Sequence, residues 1–230
     1  MTSSRLPGKI LKKIKGKTLL QYHIERLLLT GFDIAVATTT NETDDCVVEF
    51  TENVNIKNHR GSENNVLSRY YETAKKFNFD IIIRVTSDCP LVDPNLIRNS
   101  VEKYLKLNNP NLFMSVGTKS TFARGFDFEI FSFQLLKEAF LNATEEFDLE
   151  HVTPYIWKNR SGKVELYQVK QPANNGGLRI TVDTAEDFEL IKTLIEKFNA
   201  ETLPYNEIEN VLNQHPELVA INSHIEQKKV

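Results

Sequence analysis

Short runs rich in Ile, Val and Phe alternate with amphipathic stretches along almost the whole chain, and no other feature limits the fold more tightly. Phe32–Thr39 and Asp80–Thr86 read as buried strands, Met114–Val116, Phe126–Phe131, Val164–Lys170 and Leu178–Val182 as further ones. Between them, Thr18–Thr30 places Leu19, Leu20, Ile24, Leu27 and Leu28 on one helical face, with Gly31 as its stop. Helices are also expected at Asp44–Asn53, from an N-cap at Ser62 to about Lys76, after Asp93-Pro94, from Ser132 to about Asn142, from a Thr184–Asp187 capping box to Phe198, and at Glu207–Gln214. Strands alternating with helices predict an α/β fold: three layers around a mostly parallel, doubly wound sheet. Ligands of such sheets sit beyond the carboxyl ends of the strands.

A length of 230 residues with 40% hydrophobic content suits one domain, here 1–221, with a polar tail at 222–230. Residues 113–149 break the regular alternation and could be a substrate-side or dimer-side addition. The net charge of −3 leaves no basic surface for nucleic acid, and neither a secretory signal nor a membrane-spanning run is legible. Cys46 and Cys89 are far apart and lack metal-ligand spacing, so a reduced, cytoplasmic protein is expected.

Three segments carry chemistry. Residues 1–9 (MTSSRLPGK) combine small residues, which let backbone N–H groups approach an anion, with the cations Arg5 and Lys9. Pro7-Gly8 make a turn that aims Lys9 back at the loop. In both Arg84–Leu91 (RVTSDCPL) and Arg179–Asp183 (RITVD), a β-rich run ends on a single aspartate, Asp88 and Asp183. Two carboxylates at strand ends suit one Mg²⁺ held against a nucleoside triphosphate. Each feature also has a plainer use: Asp88 could close an Asx-turn, and Asp183-Thr184 are ordinary helix-start residues.

Taken together, SSRLPGKIL (3–11), RGSENNVLSRYYE (60–72), RVTSDCPLVDP (84–94), ARGFDFEIF (123–131), EHVTPYI (150–156) and LRITVDTAEDFELI (178–191) resemble the sugar-nucleotide cytidylyltransferases. The resemblance is to the spore-coat-polysaccharide branch, related to the CMP-Kdo and CMP-sialate synthetases. It covers nearly the whole chain and implies a nucleotide-diphospho-sugar transferase-like fold. The implied reaction is transfer of CMP from CTP to a sugar, an acidic one by analogy, with release of pyrophosphate, for surface polysaccharide or glycan synthesis. It further implies Mg²⁺ on Asp88 and Asp183, and Lys9, Arg5 and Asp88 in the catalytic machinery. The nucleotide would lie against Ser3, Ser4, Leu6, Gly8, Lys9, Thr38, Thr39, Arg60, Gly61 and Thr86. The sugar would lie against Arg124, Asp127 and His151, where an Arg fork suits a carboxylate and an imidazole suits a hydroxyl. His151 could equally be a satisfied histidine at a helix start. The resemblance leaves room for a homodimer.

Two departures stand out. The family leads into its SSRLPGK loop with a short apolar strand, whereas this sequence begins inside the loop. The expectation is therefore a sheet without its first strand and a natural start upstream of Met1, with a non-catalytic nucleotide-binding homologue as an alternative. The family also carries an Asp where Asn65 stands. A glycosyltransferase of similar fold is a further alternative, although its usual Asp-x-Asp pair is missing: Cys89-Pro90 follow Asp88.

Overall fold

The computed structural model describes residues 5–117 and 119–226. A hairpin of β1 (Lys13–Ile14) and β2 (Lys17–Thr18) leads into α1 (Leu19–Leu28), followed by β3 (Ala35–Thr39), α2 (Asp45–Asn53), β4 (Lys57–Gly61) and α3 (Val66–Lys76). Next come β5 (Ile81–Arg84), α4 (Pro94–Leu107), β6 (Leu112–Ser115), β7 (Glu129–Ser132) and α5 (Phe133–Asn142). The chain continues through α6 (Glu146–His151), α7 (Pro154–Trp157), β8 (Glu165–Gln168), α8 (Ala185–Phe198), α9 (Tyr205–Gln214) and α10 (Pro216–Val219). No described helix is long and apolar enough to cross a membrane.

The α/β class is as expected, and the three-layer arrangement follows from strand periodicity. Ile82, Phe113 and Phe131 join the core beneath α3, α5 and α7, while their neighbours Ile81, Ile83, Met114 and Ile130 join the larger core with α1, α4, α8 and α9. The pairing, however, is mixed rather than mostly parallel. β3 and β4 pair in parallel, and the four-stranded sheet runs β5-β7-β6-β8. β7 is antiparallel to both β5 and β6, because the segment after β6 turns back and inserts between them; β6 and β8 are parallel. Residues 113–149 thus supply an interior strand.

Local signals held where a side chain had an orphan N–H to satisfy. Thr18, Asp93, Ser132 and Thr184 each accept a bond from the first turn of their helix, Thr184 in a full capping box with Asp187. Ser62 does not cap α3: Asn65 does, accepting from Ser68 N at 2.8 Å, while Ser62 Oγ accepts from Asn65 N in the preceding turn. The amide oxygen of Asn65 therefore does a capping job for which no charge is needed. Leu178–Val182 makes only one parallel bridge, Arg124 with Arg179, rather than a ladder, and its end turns to Asp88 through Val182 N. Asn222, expected in a loose tail, is buried and donates to Arg179 O and Asp187 Oδ1.

The two sheets do not meet. Among the described strands β3 pairs only with β4, and β5 only with β7. Between the free edges of β3 and β5 lies an apolar slot of about 400 Å³, walled by Ala35–Ala37 and Ile81–Ile83 and closed by Ile24, Leu27, Ala74 and Val101 from the helices. Two edges that stay unpaired among the described strands thus face one apolar gap. His23 also lines the slot; its Nδ1 lies 2.8 Å from Cys89 O, and burial pushes its pKa down.

Candidate active site

The first described residues form a tight turn. Leu6 O accepts from Lys9 N at 3.2 Å, and Gly8 takes φ 65°, the left-handed value the third position of a type II turn requires. Lys9 then reaches two carboxylates far away in sequence. Its Nζ donates to Asp88 Oδ2 at 2.9 Å and to Asp183 Oδ1 at 2.8 Å. Asp183 Oδ2 also meets Arg5 Nη2 at 3.0 Å and Arg179 Nη2 at 2.8 Å. Burial would raise the Asp183 pKa, but hydrogen bonds and charges from Lys9, Arg179 and Arg5 overcome it and hold the carboxyl at about 2. Burial likewise opposes charge on Lys9, and the two aspartates outweigh it and push the ammonium pKa up. Ser3 and Ser4, expected in this loop, lie outside the described residues.

The two aspartates meet because the main chain is pinned. Val182 N donates to Asp88 O at 2.8 Å, and Thr86 Oγ1 donates to Asp88 Oδ1 at 2.6 Å, so Thr86 orients the carboxylate. Helix capping falls to Thr184, which leaves the Asp183 side chain for Lys9. Beneath it sits Asp187, fully buried and not singled out for the site from sequence. It receives Arg179 at both oxygens (2.8 and 2.9 Å) together with the N–H groups of Asp183 and Thr184. Arg179, four residues before Asp183, is the other missed member. The Arg179–Asp183–Asp187 spacing of four was the available signal, but only the helix start turns it into a contact.

On the nucleotide side, the predicted residues brace the loop after β3. Thr38 Oγ1, Thr39 Oγ1 and Thr39 N all donate to Asp44 Oδ2, at 2.7, 2.7 and 3.1 Å. Burial works against the charge on Asp44, yet these bonds bring its pKa down to about 2. Arg60 donates to Thr39 O and Asn41 O and pairs with Asp45. The threonine hydroxyls and the guanidinium are therefore engaged, and it is the backbone of Thr39–Asn41 that they shape. Gly61 ends β4 against Arg69, whose Cγ would lie 3.0 Å from an added Cβ.

Arg124, Gly125 and Asp127 lie on a loop before β7. Gly125 has φ +117°, and a Cβ there would come within 2.7 Å of Ile180 Cγ1 and 2.9 Å of Ile180 C. Its N–H donates to Asp127 Oδ2 at 2.8 Å, and Arg124 projects into solvent. Burial raises the Asp127 pKa; the Gly125 bond and Arg124 oppose this, and the charges of Asp88 and Glu129 add to it. Asp127 thus lies within electrostatic reach of Asp88. His151 is less directly joined to them: its described contacts are Phe147 and Glu150. Val152, next to it, is fully buried at φ 72°, ψ −54°, with Thr153 N bonded to His151 O. That is a γ-turn with positive φ, strained for a β-branched residue. Thr153 Oγ1 in turn reaches Glu129, which pairs with Arg84 across the sheet. Cys89 is buried with its pKa pushed well up, as a packing residue should be.

The candidate site is thus a cationic loop clamped on two carboxylates, Asp88 beyond β5 and Asp183 just ahead of α8. The chain belongs to the cytidylyltransferase family, whose model matches residues 1–227, a family of sugar-nucleotide and polysaccharide biosynthesis. It is 36% identical over 229 residues to uncharacterized protein MJ1063 of Methanocaldococcus jannaschii, spanning 98% of this chain and 92% of that one. It is 28% identical over 227 residues to the spore coat polysaccharide biosynthesis protein SpsF of Bacillus subtilis, spanning 94% and 92%. Among solved structures, a cytidylyltransferase from Leptospira borgpetersenii matches with a TM-score of 0.88 at 31% identity, over 100% of this chain and 95% of that one.

Proposed function

We propose that this chain transfers a cytidylyl group from CTP to a hydroxyl of an acidic sugar and releases pyrophosphate. The observation that carries the reading is the Lys9 ammonium held between Asp88 and Asp183, beside Arg5. In the reaction the sugar oxygen forms a bond to the α-phosphorus, the bond from that phosphorus to the β-bridging oxygen breaks, and the hydroxyl proton leaves to a base or to solvent. Negative charge grows on the α-phosphate and on the leaving pyrophosphate, so fixed cations aimed there lower the barrier. An incoming triphosphate competes with the two aspartates for Lys9 and Arg5. Its arrival frees carboxylate oxygens, which are hard donors of the type Mg²⁺ prefers.

Asp88 and Asp183 fit a Mg²⁺ ion in that sense, and among the described residues no group of three or more acidic, His or Cys side chains converges on one point. The two aspartates would hold the ion, with phosphate and water completing its shell; once bound, it supplies charge neutralisation at the phosphates. Arg124 is the fork for the sugar carboxylate, and Asp127 and His151 are the polar groups for its hydroxyls.

The test is pyrophosphate release and thermal shift with CTP, UTP, GTP and ATP plus Mg²⁺, with and without 3-deoxy-manno-octulosonate and sialic acid. CTP-specific stabilisation with sugar-dependent release is expected. Release from no nucleotide with any acidic sugar overturns the assignment.

The slot between β3 and β5 favours a second reading, binding with little turnover, because the loops at the end of β3 and beyond β5 stand on unpaired edges. Filling the slot decides between them. An apolar strand fused ahead of the loop should raise the melting temperature and turnover together, since each large apolar side chain buried is worth roughly 1.5–3 kcal/mol. A higher melting temperature without turnover supports the binding protein.

A further inference from the structure

Glu209 on α9 is only 2% exposed, yet among the described residues no Lys, Arg or His pairs with it. Four hydrogen bonds converge on its carboxylate, all from neutral donors. Ala123 N reaches Oε1 at 2.7 Å and Gln171 Nε2 reaches both oxygens at 3.1 and 2.8 Å, while Asn175 Nδ2 reaches Oε2 at 2.6 Å. Only a group that accepts at both ends can satisfy that set. A buried carboxylate without a counter-ion is costly unless its bonds are needed where they are.

What they join is informative. Ala123 immediately precedes Arg124, whereas Gln171 and Asn175 belong to the loop that leads to Arg179 and Asp183. The two loops also bond directly: Gln171 N to Thr121 Oγ1, Asn175 N to Thr121 O, Arg124 N to Leu178 O and Ile180 N to Arg124 O. Glu209 is the one side chain among these contacts that grips both loops from outside, and it fixes the backbone of Ala123 two residues before Gly125. The N–H of Gly125 in turn holds the Asp127 carboxylate.

We propose that Glu209 is a positioning residue: it sets the Ala123–Asp127 loop, and with it Arg124 and Asp127, at the acceptor side of the site, and makes no contact with the Thr38–Asp44 region. The assignment of that loop to the acceptor rests on the proposed function. Glu209→Leu should raise KM for 3-deoxy-manno-octulosonate about tenfold or more while changing kcat less than about threefold, the signature of lost binding rather than lost chemistry. CTP affinity by calorimetry should stay within about twofold of wild type. Glu209→Gln keeps one oxygen for Ala123 N but turns an NH2 toward the donors of Gln171 and Asn175, so its KM should fall between those of wild type and Glu209→Leu.

Hydrogen exchange gives a readout that needs no turnover. Amides of 121–126 should exchange faster in Glu209→Leu, and those of 38–44 should not. If the wild-type chain turns over no sugar, the functional reading fails and exchange still decides the role of Glu209. If Glu209→Leu fails to melt cooperatively, Gln171→Ala, at a half-exposed position, carries the same measurements at smaller amplitude. An equal loss of CTP affinity, a fall in kcat at constant KM, or unchanged exchange at 121–126 overturns the proposal.

Discussion

The proposed phosphate end and the proposed acceptor end of this site are built by different means. At the phosphate end, Arg5, Lys9, Arg179, Asp88, Asp183 and Asp187 compensate one another, and charge places the groups. At the acceptor end the 123–127 loop is placed by backbone: a glycine at φ +117° and a main-chain N–H held by Glu209. Arg124 itself stays exposed there. Charge compensation keeps cations in place until an anion exchanges with the aspartates. Backbone constraint instead holds a fixed shape and leaves the Arg124 side chain open to solvent.

The largest effect that would break this contrast is at Asp187. Asp187→Ala leaves Arg179 buried without its two described bonds to Asp187 and removes the capping box. A loss of about 3–5 kcal/mol is expected in urea denaturation; a loss under about 1 kcal/mol would mean charge is not what holds this end. Lys9→Met should lower turnover by about 10²–10³, the usual cost of removing one donor aimed at transition-state charge, with the fold retained by circular dichroism. Gly125→Ala tests the other end: overpacking against Ile180 together with a disfavoured φ should cost about 2–4 kcal/mol, read as a lower denaturation midpoint. If the acceptor loop simply shifted, stability would stay at the wild-type level.

The smallest effect is in pH. Asp183 and Asp44 both sit at about 2, below the ordinary carboxylate value. A depressed pKa contributes stability above the unfolded value and loses it as pH falls through the folded one. Each should therefore give up about 2 kcal/mol between roughly pH 5 and pH 2. Asp127 is shifted upward and acts in the opposite sense: its protonation on acidification favours the fold. Urea titrations of Asp183→Asn and Asp127→Asn across that range should therefore change the pH slope in opposite directions.

Much of this was legible in the chain. The helix caps at Asp93, Ser132 and Thr184 are local contacts, so sequence spacing suffices to find them. Ser62 misled because two residues in one turn, Ser62 and Asn65, both offer a side-chain oxygen, and only backbone direction decides which one faces the helix. Leu178–Val182 looked like a strand because its pattern is apolar and β-branched; it makes only one bridge, Arg124 with Arg179, rather than a ladder. Asp187 was read as a cap, and it is one, but its grip on Arg179 and Asn222 depends on packing that no spacing reveals.

Local sequence was enough for the α/β class, the family and the candidates Lys9, Asp88 and Asp183, because periodicity, turn chemistry and short motifs are properties of neighbouring residues. Only the tertiary structure decided that one ammonium spans Asp88 and Asp183, across 79 and 174 residues of chain. It alone decided that β7 returns between β5 and β6, that a slot parts β3 from β5, and that a buried Glu209 holds two distant loops. Those outcomes depend on where separate segments pack in space and on which buried polar groups must then find partners.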